Sequence, residues 1–224
     1  MESKKCIIYG AGSVGRLALQ IIEDLNKISK DFEVLGFVDD NEKLHGTYLN
    51  GYKVFGGFSY LKISGIKNII ISFSQNSLRH SVFNNISKHI QDIKFPTIIH
   101  PSVWLGQNVK IGKGVIIYPS VCIDPDVSID DFSILNKLTS LGHDTSIGKY
   151  VTLSPGVKIG GFNVIKDKVY LGINSSSLQY MKLGENSVIG AGAVVTKNIP
   201  ANCTAVGIPA KPIKFHEELD RDVN

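Results

Sequence analysis

The chain has 224 residues, 43% of them hydrophobic and 20% charged, which suits one large domain or two small ones with a buried core. The formal net charge of +4 is modest and the basic residues are scattered, so the basic stripe of a nucleic-acid binder is missing, although a mild positive excess suits anionic small molecules. No apolar run approaches the ~20 residues that cross a bilayer, and no membrane insertion is expected. The opening MESKKCIIYGAG has only about four apolar residues before its glycines, which reads as a strand and not as a secretory leader; a cytoplasmic protein is the expectation. Cys6, Cys122 and Cys203 are widely spaced with no C-x-x-C pattern, so they read as buried reduced thiols, not as a disulfide framework or zinc site.

Taken in chain order, residues 1–96 alternate strands with helices. Lys5–Tyr9 is an apolar strand, Gly10–Gly15 (GAGSVG) a glycine turn, and Arg16–Ile28 a helix with apolar residues at Leu17, Ile21, Ile22, Leu25 and Ile28. Phe32–Val38 is a second strand ending at Asp39 and Asp40, and Asn68–Phe73 a third. Leu78–Ile90 is a second helix, and Phe95–Ile99 leads out of the domain. Strands separated by helices predict a parallel sheet, a Rossmann-like α/β domain. The glycine turn follows a strand and precedes a helix, so its amides and the helix N-terminus can receive a phosphate or sugar nucleotide. It reads equally as a plain structural connection. Asp39 lies 24 residues past Gly15, near the spacing at which an acid meets a ribose in dinucleotide folds. A nicotinamide enzyme is nonetheless disfavoured, because fewer than about 100 residues precede the next domain and a full six-stranded fold does not fit.

Residues 97–214 follow a different pattern. Steps of six from Ile99 pass through Leu105, Ile111, Ile117, Ile123, Ile129, Leu135, Leu141, Ile147, Leu153, Ile159, Ile165, Leu171, Ser177, Leu183, Ile189 and Val195, and only Ser177 is not aliphatic. A Val or Thr often stands two places before, and Gly, Asp or Asn usually follows directly. Short strands of this kind bury their apolar side chains only by stacking on copies of themselves. Gly, Asn and Asp after each one predict sharp corners with positive φ. Residues 215–224 form a charged tail, expected to be a solvated end.

The six-residue pattern and the ending AVGIPAK at 205–211 resemble the hexapeptide-repeat acyltransferases. Together with GAGSVG at 10–15, Asp39-Asp40, Asn136, His143-Asp144, LSPG at 153–156, LGIN at 171–174 and IGAGAVVTKNIP at 189–200, nearly the whole chain is similar to the NeuD/PglD-like family of sialic acid O-acetyltransferases and UDP-4-amino-sugar N-acetyltransferases. That resemblance implies a left-handed parallel β-helix of between five and six coils, acetyl-CoA as co-substrate, no metal, and a homotrimer with active sites between subunits.

The resemblance also implies the roles of particular residues. His143, just past Gly142, matches the catalytic histidine, and an imidazole exchanges protons near neutral pH as a general base must. Asp144 matches the acidic residue beside it, and Asn136 a position that contacts the reacting groups; both are equally ordinary corner residues. Acetyl-CoA is expected at Thr152, Gly161, Ile173 and Ala191, with Lys197 and Lys211 within reach of its 3′-phosphate. The nucleotide sugar is expected at Gly12, Ser13, Val14, Asp39, Asp40 and Ser74; many relatives carry His where Val14 stands. The activity so implied is acetyl-CoA-dependent N-acetylation of a nucleotide-linked, UDP-linked 4-amino-deoxy sugar. The alternatives are O-acetylation of sialic acid or another sugar hydroxyl, and a non-catalytic sugar-nucleotide-binding protein. A non-catalytic member has no need of His143.

Overall fold

The computed structural model describes residues 3–216. The chain forms two compact units, Met1–Pro101 and Ser102–Asn224. Residues 217–224, most of the expected charged tail, lie outside the described residues.

The first unit is built on a three-stranded sheet of β1 (Lys4–Tyr9), β2 (Phe32–Val38) and β5 (Asn68–Ile71) in the order β2-β1-β5, with both pairings parallel. The apolar runs make this the core: Cys6, Ile7, Ile8, Phe37, Val38, Ile69 and Ile70 are almost wholly buried. Helix α1 (Ser13–Asn26) turns Ala18, Leu19, Ile21 and Ile22 inward. It begins three residues before the expected start at Arg16, so the second half of the glycine turn is already its first turn. Gly15 is a helical residue pressed on the turn, where an added Cβ would lie 1.9 Å from the Gly10 carbonyl oxygen.

The hairpin β3 (Tyr48–Leu49) and β4 (Tyr52–Lys53) and the short helix α2 (Phe58–Ile63) follow β2. Helix α3 (Asn76–His89) covers the span expected to be helical from Leu78. Strand β6 (Ile98–Ile99) packs on α1.

The second unit is a parallel β-solenoid. Two-residue strands recur from β7 (Trp104–Leu105) to β22 (Val194–Val195), and through β19 (Ser176–Ser177) each pairs with the strand three places on, as Cys122 pairs with Ser140 and Ser128 with Ser146. Three parallel sheets therefore form the faces of a prism. The second residue of each strand points inward: Ile117, Ile123, Leu135, Leu153, Leu171 and Ile189 are fully buried. Each such side chain contributes roughly 1.5–3 kcal/mol by leaving water. Leu105, in the first coil, is 42% exposed.

The corners differ from the sequence expectation. Positive φ falls three places after the inward aliphatic residue, not on the Gly, Asp or Asn that follows it. Asp126, Asp144 and Asn174 take it, but so do Phe132, Leu138, Tyr150, Phe162 and Tyr180, at φ of 54° to 62°. Close stacking accounts for a glycine such as Gly142, where an added Cβ would sit 2.5 Å from the Gly161 nitrogen of the next coil.

The solenoid ends in β23 (Cys203–Val206), which pairs antiparallel with β24 (Lys211–Phe215) across the AVGIPAK turn and its cis Ile208-Pro209 bond. The cysteines are free, and Cys6 and Cys203 are buried; Cys122 is not, being half-exposed on the outer side of its strand. Burial, with Glu33 adding to it, pushes the Cys6 thiol up to about 12.

Ser177 is a local defect in the inner ladder. It stacks between Ile159 and Val195, and its buried hydroxyl has no hydrogen-bond partner. We expect Ser177→Val to remove an unsatisfied polar group and restore the aliphatic stack, a gain of about 1–2 kcal/mol. A thermal melt would then show Tm raised by roughly 2–8 °C.

Candidate active site

The carboxyl ends of β1, β2 and β5 bring together three expected substrate-binding segments of the first unit. Asp39 ties the end of β2 to the glycine turn: its Oδ2 accepts from the Ala11 amide at 2.8 Å and its Oδ1 from the Asn41 amide at 2.9 Å. Asp40 Oδ2 accepts from the Tyr9 hydroxyl at 2.5 Å, and Oδ1 accepts from the Phe58 amide at the start of α2 at 2.9 Å. Burial, with the Asp40 carboxylate adding to it, holds the Tyr9 phenol well above its ordinary range, so it stays a donor. Ser72 Oγ hydrogen-bonds to the carbonyls of Tyr9 and Gly10. The two aspartates thus hold the framework of the turn.

The turn itself is open. Gly12 caps α1 with no side-chain partner, nothing stands within 4 Å of where its Cβ would be, and Gly12 and Ser13 are exposed. Among the described residues no group accepts from the amides of Ser13, Val14 and Gly15; the first helical bond is from Arg16 to the Gly12 carbonyl at 3.1 Å. Three unengaged amides at the N-terminus of a 14-residue helix are suited to an anion. Val14 is half-buried. Ser74 is exposed, and its carbonyl accepts from Arg79 Nη1 at 2.9 Å while the Phe73 carbonyl accepts from the same nitrogen at 2.8 Å. Arg79, only 1% exposed, escapes sequence reading because a helical arginine is ordinarily a surface residue.

On the solenoid, His143 and Asp144 stand at the corner between β13 (Ser140–Leu141) and β14 (Ser146–Ile147). Their side chains are 48% and 44% exposed, and His143 Nδ1 lies 2.8 Å from Asp144 Oδ2. Asp144 sits at φ 58°, which brings its short side chain back beside its neighbour's ring. In the tautomer in which Nδ1 donates to the carboxylate, the lone pair of the neutral ring lies on Nε2, which has no partner among the described residues. Phe162 meets the imidazole edge-on, with centroids 4.9 Å apart, and Tyr180 stacks on Phe162 at 4.9 Å. The ring also lies over Gly161, where an added Cβ would be 3.0 Å from Nε2. The Gly161 amide donates to nothing among the described residues.

The remaining expected residues lie elsewhere on the prism. Asn136 is at the corner before β13, its Oδ1 accepting from the Lys137 amide at 2.8 Å. Ile173 and Ala191 lie on that same edge, two and three coils above Lys137, and both are exposed. Thr152 is on the outer side of β15 (Thr152–Leu153) between Ile134 and Tyr170, and is 5% exposed. His143 and Gly161 thus share one edge, whereas Asn136, Ile173 and Ala191 share another, with a face of the prism between. Among the described residues, no cluster of three or more His, Cys, Asp or Glu could hold a metal ion, and no helix is long and apolar enough to cross a membrane.

A free imidazole nitrogen on the edge of a β-solenoid is suited to proton transfer during group transfer. Comparison with known proteins narrows this. Residues 5–86 match the PglD N-terminal domain family. The chain is 34% identical over 203 residues to a GDP-perosamine N-acetyltransferase of Escherichia coli O157:H7, covering 89% of this chain and 81% of that one. Among solved structures it resembles the acetyltransferase domain of PglB from Neisseria gonorrhoeae FA1090, at TM-score 0.85 and 26% identity, covering 94% of this chain and 100% of that one. That domain has also been solved in complex with acetyl coenzyme A. It shares its fold with PerB from Caulobacter crescentus, solved with CoA and GDP-perosamine, at TM-score 0.86 and 23% identity over 94% of this chain and 97% of that one. The chain belongs to the NeuD/PglD-like family of sugar acetyltransferases, and it is an enzyme that uses acetyl-CoA as co-substrate.

Gly161→Ala tests the contact beneath the imidazole. The added methyl has to displace the ring or its coil, and we expect kcat to fall about 10- to 100-fold in a protein whose far-ultraviolet circular dichroism is unchanged.

Proposed function

We propose that the protein transfers the acetyl group of acetyl-CoA to the amine of a nucleotide-linked 4-amino-deoxy sugar, with His143 as general base. The observation that carries this reading is the unpartnered His143 Nε2, fixed by the Nδ1 contact to Asp144 and resting on Gly161. The sugar amine attacks the thioester carbonyl carbon and the C–N bond forms. The tetrahedral oxyanion then collapses with cleavage of the C–S bond. The proton leaving the amine passes to Nε2 and on to the departing thiolate, giving the acetamido sugar and free coenzyme A. The Gly161 amide, which donates to nothing among the described residues, is the candidate donor for the developing oxyanion. Ser13, Val14 and Gly15 offer their amides to the diphosphate of the sugar nucleotide, with Gly12 leaving room for it, Asp39 and Asp40 holding the turn, and Ser74 beside it.

For the nucleotide, the relative that is 34% identical is named for GDP-perosamine, which favours a guanosine diphosphate sugar over a uridine one. The uridine reading stays as the alternative, supported by the resemblance to the UDP-4-amino-sugar N-acetyltransferases. Thiol release from acetyl-CoA, measured with GDP-linked and UDP-linked 4-amino sugars, free amino sugars and sialic acid, decides among them. We expect turnover with the GDP-linked amine; turnover confined to sialic acid or another hydroxyl acceptor overturns N-acetylation. His143→Ala should lower kcat by about 100-fold or more with acetyl-CoA affinity preserved. Near-normal turnover in that variant removes His143 from the base role.

The separation of the expected cofactor residues onto two edges of one prism supports a homotrimer. In it the His143–Gly161 edge of one copy faces the Asn136–Ile173–Ala191 edge of the next, and acetyl-CoA lies between. Light scattering at micromolar concentration should give three times the chain mass. A monomeric mass in a sample that turns over overturns this arrangement.

A further inference from the structure

Asn163 is 0% exposed in the interior of the solenoid. One and two coils earlier the same inner column holds Thr145 and Val127, so the position accepts a smaller or an apolar residue of similar volume. An asparagine there carries a cost, because its Oδ1 is buried with no partner, roughly 1–3 kcal/mol for such a group. Its Nδ2 is surrounded by acceptors: the Gly160 carbonyl at 2.6 Å, the Leu178 carbonyl at 2.9 Å and the Gly161 carbonyl at 3.3 Å. Turning the amide over would set Oδ1 against three carbonyl oxygens, which fixes its orientation.

Those three carbonyls belong to the two corners that support the imidazole. Gly160 and Gly161 form the turn on which the His143 ring lies. The Phe162 amide donates to the His143 carbonyl at 2.9 Å, and the Tyr180 amide donates to the Gly161 carbonyl at 3.1 Å. Leu178 belongs to the next corner, which carries Tyr180 stacked on Phe162. One buried amide therefore ties, from inside, the turn that the ring contacts to the next turn, whose Tyr180 stacks on Phe162. Thr145 assists by donating to the Gly160 carbonyl at 3.2 Å, but it reaches neither Gly161 nor Leu178.

We propose that Asn163 is a positioning residue for acetyl transfer: its side-chain amide locks the Gly160–Gly161 turn from the core, so that His143 Nε2 and the Gly161 amide keep one fixed relation. Asn163 touches neither substrate, and its effect passes through the turn. The proposal rests on the reading of His143 as the base.

The test compares Asn163→Val and Asn163→Thr with the parent, alone and combined with His143→Ala. Both residues already occupy this column, at Val127 and Thr145. We expect kcat to fall about 10- to 100-fold, with KM for acetyl-CoA and for the sugar nucleotide changing less than about threefold. In the His143→Ala background the same substitutions should cost less than about twofold, because the ring they position is gone. The His143 Cε1–H resonance should shift or broaden in Asn163→Thr while those of His45 and His100 stay in place. An equal loss with and without His143, a loss confined to KM, or failure of both variants to fold would assign Asn163 to the core alone and overturn the proposal. Full activity in His143→Ala would instead defeat the base reading, an outcome visible before any Asn163 variant is made.

Discussion

From Trp104 to Val195 the side chains of the solenoid stand over one another at intervals of eighteen residues, as Ile134 over Ile116 and Ser146 over Ser128. That interval lets two-residue strands, too short to persist alone, share one hydrophobic interior and one unbroken set of backbone hydrogen bonds. It also dictates the chemistry of the edge. The imidazole of His143 has a backbone surface to lie on because Gly161 is one coil above it. The same stacking that buries Leu141 under Ile159 on the inside places the His143 ring against Gly161 at the neighbouring corner. Packing and site are two sides of one repeat.

The first unit reaches its site by a different route. A parallel sheet delivers three loops to the carboxyl ends of its strands, and each is then secured: the glycine turn by Asp39 and Ser72, the start of α2 by Asp40 and the loop after β5 by Arg79. These bonds leave the first amides of α1 unengaged. A ligand with negative charge can supply the missing acceptors.

Much of this was legible in the chain itself. The six-residue period is visible because burial demands an aliphatic residue at every strand, and the corner histidine stands out against it. The hairpin of β3 and β4 and the short α2 carry no period and were not legible. Their places are set by contacts such as the Asp40 oxygen on the Phe58 amide. The reach of Asp144 to the imidazole was equally hidden, since it depends on left-handed backbone and not on side-chain length. The glycines after each aliphatic residue were visible, but their reason was not: at Gly142 it is closeness to the neighbouring coil, while aromatic residues take the left-handed corners. Asn163 broke no visible rule, because a polar residue at a corner looks the same whether it points in or out.

The three-face register also limits how such a chain can change in length. Between His143 and Gly161, an insertion of six or twelve residues would carry every later residue round to a neighbouring face and take the glycine from beneath the ring. Only a whole lap of the prism, eighteen residues, preserves each column. Even that would lift Phe162 and Tyr180 one storey away from the imidazole. Growth at the ends of the solenoid is cheap by comparison, while the coils around the histidine are locked in number as well as in sequence.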